Sequence, residues 1–259
     1  MIRLLLMVML VMMLNITGPG TAYAVEPKLV PDVSQRKIQI QTGFTGAELL
    51  MFGAIIYPRG IAPEEQVDVA VVLRGPTQAI TLREKQKIAG IWVNAQSTDF
   101  RSAPTYYAIA SSRPINKIVD AKTAAIYEMG LDRLQLSPSG EIVSAEQRRF
   151  VNGLVDLNAR NGLYQQKSGT VEITDNVLYR AHLDIPSSVP VGKYTAETLL
   201  IRNGRVIVAD DKVEITIQKT GFEQFVTIMA QQYSFIYGII AVMISLFLGW
   251  FAGFVFRRF

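Results

Sequence analysis

The side chains able to do chemistry are few and scattered. His182 is the only histidine among 259 residues and there is no cysteine, which excludes multi-histidine metal sites, thiol nucleophiles, Cys-ligated metals and structural disulfides. A Ser-His-Asp triad would have to be built on His182 alone. That residue lies between Ala181 and Leu183 in a strand-like pattern, where a histidine held by one hydrogen bond is the plainer reading. No G-x-S-x-G elbow, phosphate-binding G-x-x-x-x-G-K-[ST] loop or dinucleotide-binding G-x-G-x-x-G occurs. The adjacent acids Glu64 and Glu65, like Asp210 and Asp211, fall in turn-like contexts, where neighbours face water rather than share a proton. No D-x-[DN]-x-[DN]-G loop gathers oxygens for calcium. The expectation is therefore no catalytic residue, no cofactor and no metal.

What remains suits contact. Arg74, Trp92, Asn94, Tyr106, Tyr107 and Arg113 combine basic and large amphipathic side chains within forty residues, types favoured at binding surfaces because they bury area while freezing few rotors. Part of this cluster is expected to face a partner. Core packing is the alternative, since aromatics dominate β cores as well. A second function stays open on the same residues, a periplasmic enzyme or small-ligand binder working from Trp92 to Arg113. A cleft with converging polar groups would favour it, and a flat exposed patch would favour a partner.

The elements that must position these residues read as mainly β. Residues 37–41 alternate polar and apolar, 48–57 form an apolar run, and 67–73 and 80–83 continue the pattern between Pro/Gly turns. Together they suggest an antiparallel sheet. Short strands are expected at 91–94 and 106–110. Helical grammar then takes over: 115–129 ending at Gly130, and 144–161 with capping-box spacing of Ser144 and Gln147 and an apolar face of Phe150, Leu154 and Leu157. Strands return at 171–173, 177–185, 193–201, 205–209 and 212–218, with Asn203-Gly204 marking a two-residue hairpin. The Pro190-Val191-Gly192-Lys193-Tyr194 turn resembles the one before a late strand of immunoglobulin-like sandwiches. The fold class expected is α+β, an antiparallel immunoglobulin-like β-sandwich with a helical insert at about 115–162.

The two ends set the compartment. Arg3, the apolar run 4–14 and Ala22-Tyr23-Ala24 have the order of a secretory signal peptide over 1–24, too short to span a bilayer core. Residues 235–256 carry no charge and are apolar all round apart from Ser245, and as a helix they reach roughly 33 Å, enough to cross. Arg257 and Arg258 follow at once, marking the cytoplasmic end, with 257–259 as the tail. The bulk, 25–232, is then periplasmic, at a bacterial inner membrane. Of 26 Lys and Arg, those three arginines lie outside the bulk, leaving 23 against 22 Asp and Glu. The pI of about 9.2 thus gives no ground for nucleic-acid binding, which needs a clustered basic face. Gly249 and Gly253 make a G-x-x-x-G pair that lets another helix approach. The partners expected are the lipid bilayer and either an integral membrane protein or a second copy of this chain, met through that helix.

Several strings carry a likeness: Thr42-Gly43-Phe44-Thr45-Gly46-Ala47-Glu48-Leu49, Arg74-Gly75-Pro76, Gly90-Ile91-Trp92-Val93-Asn94, residues 106–114 and the closing apolar helix with Arg257-Arg258. Over nearly the whole chain after the leader, these resemble a family of alphaproteobacterial transmembrane proteins. The resemblance brings no fold or catalytic residue with it. It implies an accessory role beside permeases of the sulfite-exporter type. The reading as a whole is a non-enzymatic, membrane-tethered module for a membrane partner such as a transporter.

Overall fold

Extended segments sort into three sheets. The computed structural model describes residues 26–41, 43–60, 65–136, 138–139, 144–209 and 212–256. The leader 1–24, Thr42, Glu64, Asp210, Asp211, the side chain of Ser144 and the tail 257–259 lie outside the described residues. One sheet has the order β1-β3-β11-β10, built from β1 (Lys28–Val33), β3 (Gly46–Ile56), β10 (Val171–Thr174) and β11 (Leu178–Pro186), all antiparallel. The second runs β2-β14-β12-β4-β7-β9, from β2 (Lys37–Ile40), β4 (Asp68–Arg74), β7 (Tyr107–Ser111), β9 (Tyr164–Ser168), β12 (Gly192–Arg202) and β14 (Val213–Lys219). β13 (Arg205–Ala209) pairs with the far half of β12. A third is a long hairpin of β5 (Thr77–Ile88) and β6 (Ile91–Pro104), to which β8 (Pro138–Ser139) adds at Phe100.

β4 is the clearest case of cause. Val69, Val71 and Leu73 point into a core shared with Leu49, Met51 and Ile55 of β3 and Leu183 and Ile185 of β11, while Ala70 and Val72 point the opposite way into a second core. Side chains alternate along a strand, so a run apolar at every position needs a cover on both sides. The cover on the second side is helical. α1 (Ile115–Ile118), α2 (Ala121–Ile126) and α3 (Ser144–Arg160) supply Ile115, Ile118, Ala124, Phe150 and Leu154 to that core, with Phe100 and Ala103 from the hairpin base. At about 25 cal/mol per Å², burial on this scale is the main favourable term for folding.

Three expectations need correction. The segments at 37–41, 48–57, 67–73 and 80–83 do not form one antiparallel sheet: β3 joins the first sheet, β2 and β4 the second, and Ile80 and Leu82 belong to the hairpin. β2 moreover pairs with β14, and β7 with β9, in parallel. The expected helix over 115–129 is two. Val119 leaves the helix to bridge Gly204, and the Asp120 carboxylate accepts from Thr123 N at 2.7 Å, starting α2 afresh. α2 then ends well before Gly130, because Glu128 takes positive φ and the Met129 N–H donates to Ala124 O at 2.8 Å, a Schellman closure without glycine. α3 closes the same way at Gly162, where sequence does announce it. The segment at 91–94 is the start of β6 rather than a short strand of its own.

After β14, α4 (Phe222–Gln232) leads through Tyr233 into α5 (Ser234–Phe256). α5 is 23 residues long, with mean hydropathy 2.4 in its most apolar window, and none of that window is buried inside the protein. Among the described residues it is the one helix long and apolar enough to cross a membrane. Its Ser245 hydroxyl donates to Ala241 O at 2.9 Å, so the one polar side chain in its middle is satisfied within the helix.

Candidate functional site

The cluster from Arg74 to Arg113 is taken apart by the fold into three places. Tyr106 and Tyr107 are both 0% exposed and, being neighbours in an extended chain, enter opposite cores. The Tyr106 hydroxyl donates to Asp184 O at 2.6 Å; the Tyr107 hydroxyl donates to Glu128 O at 2.6 Å and accepts from Gly130 N at 3.1 Å. Burial pushes both phenols up, Tyr107 to about 12, because the anion would lose its water. Neither can meet a partner. Their role is packing, with the hydroxyl tying a loop to the sheet.

The two arginines hold elements together. Arg74 at the end of β4 donates to Glu197 of β12 at 2.8 Å and to Tyr127 O at 3.1 Å, with Glu128 at 3.5 Å. Arg113 forms a two-pronged pair with the buried Asp68 carboxylate, Nε to Oδ1 at 2.8 Å and its second nitrogen to Oδ2, while Ser112 Oγ donates to the same Oδ1 at 2.8 Å. A buried carboxylate with three donors is satisfied. His182 on β11 has its Nδ1 2.6 Å from Glu48 Oε1, on an exposed sheet face. Among the described residues no group of three or more His, Asp or Glu could hold a metal ion.

Trp92 and Asn94 are left, and they stand on the hairpin tip. Lys87 pairs with Trp92 and Lys85 with Asn94 on one face, Ile88 with Ile91 and Gln86 with Val93 on the other. Trp92 is 67% exposed and Ile91 69%; Ile88 and Val93 are exposed too. The tip turns at Ala89-Gly90, both with positive φ as a tight two-residue hairpin requires. Alanine pays a steric cost there that Asn would not. Ile88, Ile91, Val93, Lys85 and Lys87 are thus contact candidates that sequence reading passes over, since Ala-Gly does not advertise the turn and Gly90 reads as a break. With 12 residues, β5 runs roughly 40 Å from its packed base to the turn.

Trp92 stands on an exposed surface. A groove of about 340 Å³ lies between the hairpin and α3, lined by Leu82, Glu84, Arg149, Phe150, Asp156 and Arg160 among others, none of them from 92–113. Four of its charged residues are paired with one another, Arg149 with Glu84 at 3.2 Å and Arg160 with Asp156 at 2.6 Å. On α5, Gly249 and Gly253 have nothing within 4 Å of where a Cβ would project, so that side of the helix is open to close approach by another.

The model of a family described as "Putative transmembrane protein" matches residues 28–258. No curated protein and no solved structure matches the chain.

Proposed function

Because the chain belongs to that family of transmembrane proteins, we propose that it is a membrane-anchored, non-enzymatic interaction module of the bacterial inner membrane. In this reading 1–24 is a cleaved leader, 25–232 a periplasmic body, 235–256 the span and 257–259 a cytoplasmic tail. The observation that carries it is α5, uncharged over 23 residues and unburied, with Arg257 and Arg258 directly after it. The partner is an integral membrane protein such as a transporter, or a second copy, met along the Gly249 and Gly253 side of α5. From the body projects the hairpin, its tip carrying the exposed Trp92 and Asn94.

The body itself is read as an immunoglobulin-like sandwich with insertions. The order β1-β3-β11-β10 corresponds to the A-B-E-D sheet of that architecture, and β14-β12-β4-β7 to G-F-C-C′. Supporting this, the Tyr194 hydroxyl donates to Pro190 O four residues upstream at 2.6 Å, in the manner of a tyrosine corner. The hairpin and the helices are then insertions between strands equivalent to C and D.

Two measurements test the functional reading. A reporter fused after Phe259 is expected to be active only in the cytoplasm. Full-length protein taken from membranes in detergent is expected to lose its membrane partner, or its self-association in crosslinking, when Gly249 and Gly253 are both changed to Ile. An unchanged partner profile defeats the helix contact, and a reporter active only outside defeats the topology.

A further inference from the structure

We infer that the tip of the β5–β6 hairpin, residues 85–94, is a second membrane-contacting element that takes anionic phospholipid at the boundary between headgroups and acyl chains. The inference starts from how apolar side chains are arranged. On a protein-docking patch they occupy one face, leaving the other to water. Here Ile88, Ile91 and Val93 project from one face of the ribbon and Trp92 from the other, and all four are exposed. Burying both faces of a two-stranded ribbon requires surroundings on every side. Lipid provides them without a preformed pocket.

Charge points the same way. Lys85 and Lys87 share the Trp92 face, and no Asp or Glu occurs from Lys85 to Thr98. The nearest acid toward the base, Glu84, is turned to Arg149 at 3.2 Å. The tip therefore carries two uncompensated positive charges next to its apolar end. That is the order of groups a lipid surface meets with depth: ammonium groups among phosphates, an indole at the polar boundary, isoleucines below it. Each lysine near an anionic surface is worth about 1 kcal/mol, or roughly fivefold in the ratio of inserted to free tip. Two such residues and four apolar ones make a contact that is reversible alone and steady when α5 already holds the body at the membrane. The inference rests on the membrane anchoring proposed above only for that proximity.

The structure also explains why the tip is free to do this. Arg149 steadies the hairpin base through Glu84 and through Gln96, while Phe100 and Ala103 pack into the helical core. Beyond Glu84 the register slips by one residue at Ala95, and a bulge of that kind bends and twists a ribbon. The tip has room to aim away from the body.

The chain has two tryptophans, Trp92 and Trp250, so Trp250→Phe leaves a single emitter at the tip. That full-length variant would be reconstituted into phosphatidylcholine vesicles with or without phosphatidylglycerol, some carrying lipids brominated near the headgroup end of the acyl chain. With the anionic lipid, Trp92 emission is expected to shift to the blue, to be quenched by the bromines and to lose most of its quenching by added iodide. Lys85→Glu with Lys87→Glu should return Trp92 to water, and raising the salt concentration should do so in part. Co-flotation of each variant after alkaline washing reports α5 separately. Flotation with a water-exposed Trp92 overturns the present inference and leaves the anchor intact, whereas loss of flotation overturns the anchor. If Trp92 stays in water in pure lipid but is shielded in native membranes, the tip meets a protein there, and the lipid assignment is wrong.

Discussion

β4 and the hairpin tip are both antiparallel-paired segments with three β-branched apolar residues, Val69, Val71 and Val72 in one and Ile88, Ile91 and Val93 in the other, yet they meet opposite fates. Every residue from Val69 to Leu73 is 0% exposed, while Ile91 and Trp92 keep about two thirds of their surface in water. β4 has β12 and β7 at its edges, one sheet over one face and helices over the other. The tip has only its own partner strand. Burial is thus decided by what covers each face of a strand, and apolar content alone does not separate a core strand from a contact element. The neighbouring tyrosines and Trp92 make the same point with aromatic rings.

Three measurements would break or sharpen this contrast. The largest effect is expected from alkali. Tyr107, Tyr164 and Tyr194 are held neutral by burial, their phenols raised from 10.0 to about 12. Below pH 10 folded and unfolded chains are equally protonated at these sites, so the contribution to stability is complete. From pH 10 to 12 the unfolded chain sheds protons that the fold retains, and stability falls with rising pH. Tyrosinate absorbance and near-UV circular dichroism should change together in that window. A body that ionises these phenols reversibly with its structure intact would contradict the packing described here.

Next in size, Tyr107→Ala empties the helical core next to Tyr164, whose ring centroid lies 6.3 Å away, and should cost about 3–5 kcal/mol in denaturant titration. A loss near zero would mean that this core is not closed. The smallest effect belongs to Trp92→Ala. An exposed tip residue should alter stability by less than about 0.5 kcal/mol, while the contact made by the tip is lost. Unfolding by this change would reverse the comparison and return Trp92 to the core.

Much of the fold is legible from local signals. The strands at 37–40, 68–74 and 213–219, the helix at 144–160 and the Asn203-Gly204 turn follow from alternation, helical periodicity and residues that accept positive φ. The misreadings share a cause: a backbone conformation adopted by a residue that does not signal it. Ala89 turns the hairpin and Glu128 closes α2, both at positive φ, positions where Gly or Asn would have been recognised. β1, with Pro31 inside it, and β9, polar at four of five positions, look unlike strands. β1 lies at the edge of its sheet, where proline is tolerated, and β9 is drawn into strand form by parallel pairing with β7. For the contact cluster, sequence brought the right residue types together and could not sort them, because 106 and 107 differ only in which way an extended chain points.

The chain by itself determined a helix long and apolar enough to cross a membrane, since length, lack of charge and apolarity all round are properties of one local segment that needs no other part of the protein to act. It also determined that no multi-histidine or thiol site can be built, with one histidine and no cysteine. Only tertiary structure decided that Trp92 stands at the end of a finger while Tyr106 and Tyr107 are enclosed. Exposure depends on segments distant in sequence closing over a strand, and on where they stop.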